Sequence, residues 1–179
     1  MARKAKTKRT NLRKAVRKSP QADASLRKRL VELLQGGEAH VGISDALADF
    51  PAEKRAVYAN GLEHTAWQLL EHIRLAQWDI LEFSRDPKHV SPDFPDGYWP
   101  KTPGPHDDAA WTKSLQTVAS DLRATIRLVA NSRTDLHRPF PWGDGQTLLR
   151  EALLLADHNA YHIGQIVDVR RALGIWKKS

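Results

Sequence analysis

Apolar residues recur at helical spacing in four stretches of the chain, and no stretch alternates apolar and polar residues as a half-buried strand would. The first stretch, near residues 25–36, has Ser25 as a cap residue, carries Leu26, Leu30, Leu33 and Leu34 on one face, and meets Gly36-Gly37 at its end. A shorter helical piece, Asp45 to Phe50, follows a possible cap at Ser44 and precedes Pro51. The second long helix is expected near 65–84, where a turn of about 100° per residue gathers Leu69, Ile73, Ala76, Ile80 and Phe83 into one stripe. The third, near 108–130, opens at Asp107-Asp108, whose carboxylates suit a helix N-terminus, and runs through Trp111, Leu115, Val118, Leu122, Ile126 and Val129. The fourth, near 147–173, follows the turn-rich segment Pro139 to Gly145 and ends before Gly174.

Four long amphipathic helices in 179 residues predict one all-α domain, a four-helix bundle. Six prolines lie between Pro87 and Pro105, among Phe94, Tyr98 and Trp99, so the link between the second and third helices is a long connection without regular structure. Such a connection permits a topology other than simple up-down-up-down, and long aromatic loops commonly serve as lids or packing straps.

Charge divides the chain. Met1 to Ala22 holds nine Lys and Arg and no acid, so the net charge of +7 belongs to this segment and the rest is nearly neutral. Residues 1–22 are therefore read as a basic, disordered tail and 23–179 as the folded domain. A basic tail can bind phosphate backbones by counterion release, but nothing else in the sequence makes nucleic acid the main partner. No apolar run approaches the roughly 20 residues that cross a bilayer, and no apolar stretch follows the basic start as a secretory signal requires, so a cytoplasmic protein is expected. The absence of cysteine removes disulfides and thiolate ligands, and leaves His, Asp and Glu to hold any transition metal.

His158 and His162 are the most informative residues. Four positions apart on a helix, they project from one face and can reach a single cation. An isolated pair of this kind is common by chance, so a third ligand is required. Among the other six histidines His72 stands out, mid-helix and about 40° from Ala76 on the border of the buried stripe. Alone it reads as an ordinary half-buried imidazole; beside His158 and His162 it reads as the third ligand. His64 is its rival, but the eight residues between them span about 12 Å of helix, so both cannot serve one ion.

The segments Glu63-His64-Thr65-Ala66-Trp67-Gln68-Leu69-Leu70-Glu71-His72-Ile73 and Asp157-His158-Asn159-Ala160-Tyr161-His162-Ile163-Gly164-Gln165, with Arg170-Arg171 after them, resemble the DinB/YfiT-like superfamily of bacterial metal-binding four-helix bundles. The resemblance covers roughly Leu26 to Trp176 and leaves out the basic tail. It implies His72, His158 and His162 as metal ligands on a bundle that often forms homodimers. It also implies a group containing thiol-dependent transferases and presumed hydrolases, so it carries the site further than the substrate.

Three imidazoles without a carboxylate suit a divalent ion such as zinc, nickel or iron, with a position open to water or substrate. Any sulfur chemistry needs a low-molecular-weight thiol from outside, since the chain has none. Glu151 and Asp79 sit seven residues from His158 and His72, spacings that return to nearly the same face, and are the candidates to orient an imidazole or act as a base; Gln165 and Tyr161 are also near the motif. The functional expectation is a metal-dependent hydrolase or small-thiol transferase acting on a small molecule, with a non-catalytic metal- or ligand-binding stress protein as the alternative.

Overall fold

A computed structural model describes residues 19–176. The mobility expected of the basic tail falls almost entirely outside these residues. Among them are five α-helices, α1 (Pro20–Gln35), α2 (Ile43–Leu47), α3 (Ala66–Arg85), α4 (Asp108–Ala130) and α5 (Leu148–Ala172), with one-turn 3₁₀ helices at Ala52–Lys54 and Asp96–Tyr98 and no strand beyond an isolated bridge between Pro139 and Thr147. The protein is an all-α bundle of four long helices, as the apolar periodicity predicts.

Local chemistry sets the helix boundaries. Thr65 caps α3 with a capping box: its hydroxyl accepts from the Gln68 N–H while the Gln68 side chain accepts from the Thr65 N–H. Asp107 and Thr147 cap α4 and α5 through their side-chain oxygens. α1 begins earlier than its apolar spacing predicts: Ser19, not Ser25, is the cap, and Pro20 occupies the first helical position, where its missing N–H costs nothing. Pro20 to Ala22, assigned to the tail from their charge environment, are thus helical. α2 starts at Ile43 from Gly42 without a side-chain cap, so Ser44 lies inside it. Gly36 and Gly174 take positive φ just past α1 and α5, a conformation glycine adopts without a Cβ penalty.

Packing decides the order of the helices. α1 and α3 both pack on α4 and α5, which places α1 and α3 diagonally across the bundle. Along α3 and α4 the partners run in the same direction, Trp67 beside Trp111, Glu71 bonded to Ser114, and Gln77 bonded to the Val118 carbonyl. These two neighbouring helices are therefore parallel, and the chain must travel back along α3, about 30 Å at 1.5 Å per residue, before α4 can start. Residues 86–107 make that return as a strap lying on α3: His89 meets Asp79, Trp99 meets His72, and the Thr65 hydroxyl donates to the Pro103 carbonyl at 2.6 Å.

The core holds Leu69, Leu70, Ile73, Trp111, Ile163 and Ile166 at one end, and Leu30, Ile80, Val129, Leu136 and Leu155 at the other. Leu33, placed on the apolar face by its spacing, is instead half exposed, and Arg27 takes a buried position beside the stripe. Its guanidinium donates to the carbonyls of Val129, Asn131 and Thr134, so α1 supplies the cap for the end of α4. Arg170 does the same for α2 through the carbonyls of Ala46 and Ala48. No helix among the described residues is long and apolar enough to cross a membrane.

Candidate metal centre

The sequence gives α5 a face on which His158 and His162 stand one turn apart, and antiparallel packing of α5 on α3 brings His72 against them. One ring nitrogen from each of the three lies within 4.8 Å of the others. Nε2 of His72 and Nε2 of His158 are 3.0 Å apart. Two nitrogens each about 2.0–2.1 Å from one ion, at angles between square and tetrahedral, lie about 2.8–3.4 Å apart, so this pair already has the spacing of co-ligands. The His162 ring sits 4.4 Å from that of His72 and 4.5 Å from that of His158, centroid to centroid.

The tautomers follow from the partners. His72 Nδ1 is 2.9 Å from the Tyr98 carbonyl and His162 Nδ1 is 2.6 Å from the Gln165 side-chain oxygen. Both partners only accept, so each Nδ1 carries the proton and each Nε2 presents a lone pair. His158 differs. Its Nε2 donates to the lone pair of His72 Nε2, which leaves Nδ1 as a buried nitrogen without a partner among the described residues, and the side-chain oxygen of Asn159 is buried and partnerless as well. Were His158 to offer Nε2 to a cation, its proton would sit on Nδ1, where the unpartnered Asn159 side-chain oxygen could accept it, so the donors present fit such an ion.

Burial keeps the cluster uncharged. Desolvation pushes His72 down to about 4, against the bond to Tyr98 that favours the cation, with repulsion from His162 and His64 adding to the drop. Desolvation likewise pushes His162 down to about 4, opposed by Gln165 and aided by His158 and His64. His158 is lowered by burial first and by His72 second, with the Asn159 side chain working the other way. Neutral imidazoles are the form that binds metal.

His64 does not join the cluster. Its ring stacks on one face of Trp99 at 4.1 Å while His72 stacks on the other at 3.9 Å, so an indole separates the rival ligand from the site. Asp79 does not touch the three clustered imidazoles; its two oxygens accept from His89 Nε2 and from the Tyr98 hydroxyl, each at 2.7 Å. Glu151 is buried and bonded to Arg150 at 2.8 Å, and burial raises its pKa, with Arg150 opposing. Both carboxylates line one small cavity of about 170 Å³ with Ser91 and Gln146. Gln165 holds His162, and Tyr161, largely exposed, packs edge-on against the same ring.

Three contributors are not legible from the sequence as neighbours of the histidines. Tyr98 and Trp99 belong to the proline-rich strap, where nothing local ties them to His72; their aromatic character within a rigid connection was the only signal. Gln77, fully buried, bonds the Val118 carbonyl and accepts from Asn159, joining α3, α4 and α5 behind the histidines.

The family model described as the DinB superfamily matches residues 6–166. The match opens inside the basic segment, earlier than the motifs reach, and closes on α5 after both of its histidines. None of the curated proteins and none of the solved structures matches the chain. A match over most of the length, on a helical bundle with His72, His158 and His162 gathered at one site, means that this chain belongs to the DinB superfamily.

Proposed function

We propose that His72, His158 and His162 bind one divalent cation through Nε2, and that the protein is a metal-dependent enzyme acting on a small molecule, by hydrolysis or by transfer of a low-molecular-weight thiol. The observation that carries this reading is the protonation pattern: acceptors on Nδ1 of His72 and His162 aim two lone pairs into a cluster whose third nitrogen is 3.0 Å from the first. Three neutral imidazoles leave such an ion its full charge and a free coordination position, with which it lowers the pKa of bound water to about 7 or holds a small thiol as thiolate.

The chain's own residues supply the rest. The Tyr98 carbonyl and Gln165 keep the rings from turning, and the Trp99 indole covers one face of His72 against water. A cavity of about 270 Å³ lined by Leu62, His64, Gln165 and Asp168 adjoins the site through Gln165 and offers room for the non-reacting part of a small substrate. Glu151, buried and paired with Arg150, remains the candidate base, and Asp79 acts on His72 only by way of Tyr98. Family membership also supports a homodimer; sedimentation of a 20.2 kDa monomer at high concentration would remove that part of the reading.

The test is metal analysis of protein purified without a histidine tag, followed by screens of the loaded protein for hydrolysis and thiol transfer. One equivalent of a divalent ion, lost on His158→Ala, is the expected result. A wild type that binds no divalent ion at micromolar concentration ends the reading, and a loaded protein inert in both screens favours the non-catalytic alternative.

A further inference from the structure

The strap reaches His72 twice through adjacent residues. Trp99 lies flat on the ring, and the Tyr98 carbonyl takes the Nδ1 proton at 2.9 Å. The direction of that carbonyl depends on where Tyr98 is held, and its side chain is held by a partly buried carboxylate: the hydroxyl donates to Asp79 Oδ2 at 2.7 Å while His89 donates to the other oxygen at the same distance. Asp79 is on α3 seven residues after His72, so one helix supplies both the imidazole and the anchor that fixes its partner. Burial, and then Asp79, push the Tyr98 phenol up to about 12, so it remains a donor at any working pH.

We propose that Tyr98 is a positioning residue for His72, and that its bond to Asp79 sets the tautomer and ring angle with which His72 presents Nε2. This rests on the metal reading for its consequence but not for its geometry. Other attachments hold the strap when the hydroxyl is removed: His89 to Asp79 and Thr65 to Pro103. Tyr98→Phe keeps the ring beside Phe94 and deletes one oxygen, so the strap stays in place while its carbonyl gains freedom. Groups that orient a ligating imidazole change metal affinity by about 10–100-fold when removed.

The experiment has two arms on the full chain. In the first, zinc is titrated into wild type, Tyr98→Phe and Thr65→Val, the last loosening the strap at its other attachment. Tyr98→Phe should weaken zinc binding by about 10–100-fold with helix content unchanged, and Thr65→Val should lower the melting temperature without moving affinity. Equal zinc affinity in Tyr98→Phe and wild type, or equal losses in both variants, overturns the proposal. In the second arm, nitrogen-15 NMR of the metal-free protein reads the His72 tautomer. Wild type should show a single Nδ1–H form and Tyr98→Phe a mixture; a single form in both overturns the proposal whatever zinc does. Should wild type bind no zinc while the tautomer still responds, the positioning role stands and the metal reading alone fails.

Discussion

Trp99 lies on His72 with ring centroids 3.9 Å apart and planes within 5° of parallel. This contact exists because α3 and α4 are parallel neighbours. Parallel helices need a long return, the return must cross α3, and proline makes it stiff enough to hold an aromatic ring in place. The same indole bars His64 from the cluster, so the strap decides which imidazoles gather as well as covering them.

Substitution of the histidines should separate ligands from bystanders. His158→Ala and His72→Ala are expected to abolish stoichiometric binding of zinc or nickel with circular dichroism nearly unchanged, and His64→Ala to retain one equivalent. Loss of metal in His64→Ala but not in His72→Ala would exchange the two roles.

Thr65 is fully buried, caps α3 and ties down Pro103. Thr65→Val removes the hydroxyl at constant shape and should cost about 1–3 kcal/mol, with Thr65→Ser recovering most of it. Urea denaturation measures both; equal midpoints for Val and wild type would show that the cap and strap bonds add nothing.

Arg27 serves three carbonyls at the end of α4 from a buried position. Arg27→Met leaves those acceptors without their cation and should destabilise the fold by about 2–4 kcal/mol, without changing metal affinity in protein that remains folded. A neutral effect on thermal unfolding would contradict this.

Acid should unfold the metal-free protein early. His72 and His162 hold values of about 4 in the fold against an ordinary 6.5, so between these limits the unfolded chain binds protons that the native state refuses. Their contribution is fully present above 6.5 and is lost as pH falls toward 4, with His158 shifted in the same direction. Urea midpoints measured from neutrality downward should fall through this window and fall less in His72→Gln/His162→Gln; a flat wild-type profile would contradict the assignment of neutral buried rings.

The sequence by itself determined what depends on near neighbours along the chain. Apolar residues at helical spacing are a local property, and they placed α3, α4 and α5 to within a residue or two at each end. His158 and His162 share a face because four residues make about one turn, and His72 was found by its phase relative to Ala76. The start of α1 was misplaced because Ser19-Pro20, a good cap and first position, stands beside a basic run that drew the boundary. Only the tertiary structure decided which faces meet. Periodicity gives each helix a buried side but does not give its neighbour or relative direction, so the parallel α3 and α4, and hence the path of the strap over His72, were not legible. Nothing local marks Arg27 and Arg170 as buried caps, because the carbonyls they serve are more than a hundred residues away in sequence. Asp79 was read as a partner of His72 from a seven-residue spacing; in the fold its carboxylate meets the strap, and reaches that imidazole only through Tyr98.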